Sequence, residues 1–590
     1  MSTTPTLLAL ALALAVDVAA PTPPDLLTLA EKTSFVRTGR YDETADLCRA
    51  MQAAFPGRTR CDTMGTTPEG RPMVVLVVSS DGTLDPAKAK QRQRPVVLVQ
   101  GGIHAGEVDG KDAGFMVLRD TLLANDPAGL LKKVTVVFVP VLNVDGHERF
   151  GPHQRPNQNG PVHTGWRTTS QNLNLNRDFA KVEAPETAAV LRLVNTWDPI
   201  LYLDLHVTDG AHFQHGVAVL VDPVLGGAEV LRPAGAKLRD DVLSKLHARG
   251  HLPVGFYPSF VREDDPASGF ALGTAPPRFA TSYWPLRNRF AALVETHSWK
   301  GYGARVKATY DTVLSFLEAA ARDGPSWQAM ARAADQADLS RGGQTLPLLL
   351  RNTGVSRPIA FQGYAYRREP SPVSGALRIV YDLTRPETWT VPLFDDVKPV
   401  LEATVPAGGY VIPAGHASWA AEKLTLHGLS FTVLKEHREG VEVEAFRVTE
   451  KQFRPEPYEG RLTVQVKGNW ATEKVGIAAG SLLVPTSQRG CQLLVQLLDP
   501  AGPDSFLAWG YFNAAMEQKE YMEAYVAEEV GERMLREDPA ARELFVDRLD
   551  HDPTFAKDPE ARLRFFYQRH PSWDRHLDRY PVFRLPGPLP

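Results

Sequence analysis

The chain has 590 residues, a formal net charge of −4, 43% hydrophobic and 23% charged residues. That is an ordinary globular balance with ample apolar material for a core, at a prior of about four domain-sized units and with two or three equally compatible. The near-neutral charge gives no reason to expect nucleic acid or an anionic membrane surface as partner, and three cysteines exclude a disulfide scaffold.

Residues 1–20, MSTTPTLLALALALAVDVAA, hold an apolar run from Leu7 to Val16 followed by small residues. The run is too short to span a bilayer and reads as a secretory signal peptide, which places the protein outside the cell or in the periplasm. No Lys or Arg precedes it, so a hydrophobic N-terminal helix is the competing reading. No later segment is long and apolar enough to cross a membrane. In an exported chain Cys48 and Cys61 can pair and leave Cys491 free; buried free thiols are an equal alternative.

A helical pattern covers about 41–54. Apolar, β-branched runs follow at 72–80, 95–100, 134–142, 200–206, 216–221 and 290–296, as expected of strands buried on both faces. Helical stretches at 108–123, 185–197 and 227–249 alternate with them. The fold class this predicts is α/β, a mixed, mostly parallel sheet flanked by helices. A further helix, about 304–322, is expected to end at Asp323-Gly324-Pro325, a domain edge. Residues 340–500 read as a β-rich accessory domain, and 505–590 as a helical C-terminal region whose amphipathic faces pack on neighbours.

Chemistry concentrates in four places. In GGIHAGEVDG (101–110) a buried strand meets paired glycines, then His104, then Glu107 as a helix begins. Imidazole and carboxylate three residues apart at such a turn can converge on zinc, although H-x-x-E arises about once by chance in a chain with 16 His. His206 ends the apolar run ILYLDLH, where open α/β sheets gather functional groups; a lone strand histidine is otherwise a satisfied core residue. Glu295 ends FAALVETH, and a carboxylate there needs a role or a partner: a general base, or an ion pair with Arg287 or Arg289. GWRTTSQNLNLNRDF (165–179) offers arginines and asparagines suited to a carboxylate, or merely a polar surface loop.

Taken in order, H-x-x-E, W-R, N-R, a strand-end His and a strand-end Glu resemble the M14 zinc carboxypeptidase family, over about residues 35–320. NVDGHER (143–149) is similar to that family's N-P-D-G turn, with Val144 in place of proline. The resemblance implies a catalytic domain over about 25–325 and one zinc ion per chain on His104, Glu107 and His206. It implies Arg167 as the group that stabilises the oxyanion, Asn176 and Arg177 as the grip on the substrate's terminal carboxylate, Glu295 as general base and Tyr283 as the substrate-side tyrosine. Asn174 stands where the family often has an aspartate that orients the first histidine. The expected activity is removal of C-terminal residues from a peptide or protein with a free C-terminus. The competing functions are a zinc amidohydrolase acting on N-acyl amino acids or cell-wall peptides, and a non-catalytic module with a vestigial zinc site. With only a few tens of residues between the expected signal and Tyr41, inhibition by a folded pro-domain is not expected.

Overall fold

A strand covered on both faces has no polar side to present, so uninterrupted apolar runs become the middle of a sheet. The structure, a computed structural model, describes residues 23–589; the expected signal segment lies outside them. Ten strands come first: β1 (Thr59–Thr66), β2 (Pro72–Val78), β3 (Val96–Gly101), β4 (Thr135–Val139), β5 (Leu201–Thr208), β6 (Val217–Asp222), β7 (Pro253–Val254), β8 (Phe260–Arg262), β9 (Asp265–Ala271) and β10 (Phe290–His297). Eight of them form one sheet in the order β1-β2-β4-β3-β5-β10-β6-β7. It is mixed: β4, β3, β5 and β10 run parallel at its centre, and β2 and β6 pair antiparallel on either side. Every residue of β3, β4 and β5 is buried. Helices Tyr41–Ala54, Asp109–Leu123, Pro185–Trp197, Arg232–Ala248 and Tyr302–Asp338 flank it. The predicted α/β class is the one observed.

The last of these helices overturns one expectation. It does not stop at 323–325 but carries Pro325 inside it and runs on to Asp338. An interior proline costs about 3 kcal/mol. Burial beyond it outweighs that cost: Trp327 packs on Phe290 with ring centroids 5.3 Å apart, and Ala331 and Ala334 are buried with it. Gly324 has the same origin, since a Cβ there would lie 2.8 Å from the ring of Pro95.

Beyond this helix the chain is rich in strands. β11 (Thr345–Asn352) pairs with β14 (Val397–Thr404), and β12 (Arg357–Pro370) with β13 (Leu377–Phe394), which also joins β9. A six-stranded sheet follows from β15 (Gly409–Ile412), β16 (Thr432–Val433), β17 (Arg438–Phe453), β18 (Val464–Ile477), β19 (Leu482–Val484) and β20 (Phe583–Leu585), in the order β16-β19-β15-β20-β17-β18. The C-terminal region departs from its predicted helicity at both ends. Residues 505–512 are mostly turns around buried Phe506, Trp509 and Phe512, with Gly510 at φ +78°; a short 3-10 helix follows at Asn513–Met516, and α-helix starts at Ala524. Three later helices each open with a capping aspartate followed by proline, at Asp538, Asp552 and Asp558. β20 then returns to the sheet. Cys48 and Cys61 form a disulfide, and Cys491 is a buried free thiol. Among the described residues no helix is long and apolar enough to cross a membrane.

One buried ion pair ties the strand ends to the helix layer. Arg305 Nε lies 2.9 Å from Asp109 Oδ2, and its other nitrogens donate to the carbonyls of Asn159, Gly160 and Lys300 at 2.7 Å. Asp109 also accepts from Thr296 in β10. Replacing Arg305 by methionine strands a buried carboxylate and several carbonyls, at about 3–5 kcal/mol. The R305M chain is expected to unfold at clearly lower denaturant; an unchanged midpoint would count against this pair as a structural tie.

Candidate metal centre

The turn after β3 is built for close approach. Gly102 adopts φ +60°, and the Glu107 amide donates to the His104 carbonyl at 3.0 Å, closing one turn before helix Asp109–Leu123. At Gly106 a Cβ would sit 2.5 Å from the Gly165 carbonyl. The segment that carries Arg167 therefore rests directly on the turn that carries the acidic residue.

Three side chains converge there. His104 Nδ1 lies 3.0 Å from Glu107 Oε1, and His206 Nδ1 lies 2.8 Å from Glu107 Oε2. The three residues are 5%, 2% and 3% exposed for His104, Glu107 and His206, and one donor atom from each falls within 4.8 Å of the others. Of the outer nitrogens, His104 Nε2 meets Asn174 Oδ1 at 3.2 Å, and His206 Nε2 lies 3.0 Å from Asp204 Oδ2 without hydrogen-bond geometry. Protons on those outer nitrogens leave each Nδ1 with a lone pair directed at a carboxylate oxygen. Acceptors that face one another across a buried gap are reconciled by a cation. Two imidazole nitrogens and a carboxylate are a donor set that suits zinc, so the residues present fit the metal.

The electrostatics agree. Burial pushes the His104 ring down to about 4, which keeps it neutral. Burial works against ionising Glu107, but His104 and the Arg155 guanidinium hold it well below the usual carboxylate range. Arg155 Nη2 lies 2.9 Å from Glu107 Oε1, Arg167 Nη1 lies 3.6 Å from it, and the Val207 amide donates to Oε2. Around His206 burial opposes a positive charge, yet Asp204 and Glu295 raise its affinity for one. Glu295 pairs in register with His206 across the parallel strands β10 and β5, so both side chains share one face. It is 7% exposed and its Oε2 has no partner. Burial pushes its carboxyl up to about 8, and Glu107 and Asp204 add to that against the pull of His206.

Asn176 and Arg177 lie on a short 3-10 turn, Leu175–Arg177, capped by Asn174. Asn176 Oδ1 accepts from the Ala280 amide at 2.9 Å. The Arg177 guanidinium lies over the Phe279 ring at 4.1 Å and donates to the Asn176 carbonyl and to the Tyr458 hydroxyl. Arg167 and Arg278 act on it with like charge, a setting for an anion.

Tyr283 is a correction. It is fully buried, its hydroxyl is engaged by His427 Nδ1 at 3.0 Å and by Arg287, and its ring packs on Phe179. It precedes β10, on the side remote from Glu295, and serves the core. The tyrosine at the site is Tyr257. Its hydroxyl accepts from Thr208 at 2.9 Å, and Glu295 and Glu107 add to the burial that pushes it up. Nothing in the loop GFYPSF marks it. Arg155, in an irregular loop, was equally silent. Asp204 did leave a signal: two residues before His206 on a strand, it must share that residue's face.

Fold and cluster together define an α/β protein with a candidate metal centre at the strand ends. Residues 44–218 match the model of the family described as zinc carboxypeptidase. Carboxypeptidase 2 of Trichophyton rubrum is 25% identical over 464 residues, covering 75% of this chain and 78% of that protein. A protein of Schizosaccharomyces pombe described as an inactive metallocarboxypeptidase is 33% identical over 104 residues, 17% of this chain and 21% of its own. Among solved structures, a metallo-carboxypeptidase from Burkholderia cenocepacia aligns at 19% identity and TM-score 0.35, covering 47% of this chain and 69% of that one.

Asp204→Asn removes the charge that faces His206 Nε2 and is expected to weaken zinc binding by about 10–100-fold, read by competition with a chelator. An unchanged affinity would mean that Asp204 does not hold His206 for the metal.

Proposed function

We propose that the protein is a zinc-dependent metallocarboxypeptidase that removes C-terminal residues from peptides. The observation that carries this reading is the unpartnered Glu295 Oε2, buried beside three side chains whose acceptor atoms face one another. Bound by His104, Glu107 and His206, zinc would supply Lewis-acid polarisation of the scissile carbonyl and acidify the attacking water. Glu295 Oε2 accepts the water's proton and passes it to the leaving amine. Arg167, half-exposed above Glu107, donates to the carbonyl oxygen as charge develops there. Arg155, more deeply buried, keeps Glu107 ionised and oriented. Arg177 and Asn176 grip the terminal carboxylate, which makes cleavage exopeptidic. Tyr257 lines the rim and contacts substrate.

The family supports peptide substrates, and the substrate we assign is a peptide or protein with a free C-terminus. The Cys48–Cys61 disulfide supports a secreted or periplasmic location, since such bonds persist in oxidising compartments. Because one relative carries the description inactive, turnover itself is the quantity to measure.

Glu295→Gln keeps size and removes the base. Zinc content is expected to stay at one per chain while turnover of a C-terminally free peptide falls by at least about 100-fold. Near-normal turnover would sink the mechanism, and hydrolysis confined to N-acyl amino acids or cell-wall peptides would move the substrate assignment. Arg177→Ala is expected to raise KM for peptides with a free C-terminus and to leave any residual cleavage of amidated analogues alone; an equal effect on both would remove the carboxylate grip from this residue.

A further inference from the structure

The loop joining β17 to β18, residues 454–463, comes from the C-terminal half of the chain yet touches the metal centre's surroundings. Tyr458 and Arg461 exchange backbone hydrogen bonds at 2.8 and 3.0 Å around Glu459 and Gly460. Both central residues are left-handed, at φ +49° and +77°. Turns of this kind favour Asn-Gly or Asp-Gly, and a left-handed glutamate is strained. The backbone gives no reason for glutamate here. Its side chain does: Glu459 Oε2 accepts from the Asn174 amide at 2.9 Å. Asn174 Oδ1 in turn receives His104 Nε2 and the Asn176 amide. One residue earlier, the Tyr458 hydroxyl accepts from Arg177 Nε at 3.2 Å.

The loop is anchored well enough to act as a template. The Tyr458 ring is stacked on Trp509, with centroids 5.9 Å apart and planes within 10°, and the Arg454 guanidinium lies 4.7 Å from its centroid. Arg461 pairs with Glu183 and stacks on Tyr511. The ring therefore has little freedom to follow Arg177; Arg177 must conform to the ring.

We propose that this loop is a positioning element of the active centre: Glu459 fixes Asn174 and through it the orientation of His104 for metal, while Tyr458 occupies Arg177 Nε. The second part rests on the carboxypeptidase reading; the first does not. With Nε taken and Nη1 shared with the Asn176 carbonyl, Arg177 meets a substrate carboxylate end-on, through its two terminal nitrogens. The side-on fork that uses Nε is closed.

The test separates this from a purely structural role. Glu459→Gly relieves the backbone and removes the carboxylate, so the thermal midpoint should hold or rise while zinc affinity, read by chelator competition on the full chain, falls about 10-fold. Glu459→Gln keeps an acceptor and should bind zinc within about twofold of the native chain. Tyr458→Phe should bind zinc normally and raise KM for C-terminally free peptides about 5-fold at unchanged kcat, the loss of one oriented hydrogen bond. Native zinc affinity in Glu459→Gly, or a loss that Glu459→Gln shares, overturns the role of Glu459; an unchanged KM in Tyr458→Phe overturns that of Tyr458. If the native chain cleaves no peptide yet Glu459→Gly alone loses zinc affinity, the carboxypeptidase reading fails and the positioning of His104 stands.

Discussion

A carboxylate almost wholly removed from water governs this molecule. Glu107 is 2% exposed, and an ionised group at that depth costs several kcal/mol unless it is surrounded by partners. Its partners reach it from three segments. His104 comes from the turn after β3, and His206 and the Val207 amide come from the end of β5. Arg155 and Arg167 come from the irregular stretch between Glu148 and Asn174. Placing β3, β5 and β10 side by side brings these ends to one edge, where Glu295 joins them. The glycine at 106, which lets the Arg167 segment lie on the turn, serves the same gathering.

Where function depended on strand ends, the sequence was legible. Continuous apolar runs located β2 to β6 and β10 to within a few residues, and in β5 and β10 the polar residue near the end of the run, His206 and Glu295, belongs to the candidate site. His206 and Glu295 could be read because an expensive side chain at the end of an apolar strand needs a reason. The same logic failed for Tyr283, since distance along the chain from Glu295 says nothing about which side of the sheet a connecting turn occupies. Pro325 misled for a different cause: its local penalty is real, and only the burial of Trp327 and the alanines beyond it, a tertiary effect, decides the outcome. Arg155 and Tyr257 lie on loops, where neither period nor propensity constrains position.

Least legible was the dependence of the site on the second half of the chain. Asn174 is tied to Glu459 across 285 residues and Arg177 to Tyr458 across 281. A pairing of that range leaves no trace in local pattern. It also blurs the division into a catalytic and an accessory part: β13 extends the sheet of β9, Arg278 pairs with Asp504, and Lys423 reaches the Val182 carbonyl. The strand-rich half buttresses the loops around the candidate metal site.

The position of β20 has a consequence for how the protein is made. It lies between β15 and β17 in the middle of the six-stranded sheet, with Arg584 paired to Asp499 and stacked on Trp470. On the ribosome the strands around His104, His206 and Glu295 emerge first and can assemble. The sheet that seats the Tyr458–Glu459 loop keeps an open slot until the helices Ala524–Tyr567 have been synthesised and β20 follows them. Two strand edges stand exposed to wrong pairing throughout that interval, and the nascent chain passes through a stage in which its candidate metal site is present but its supporting wall is not.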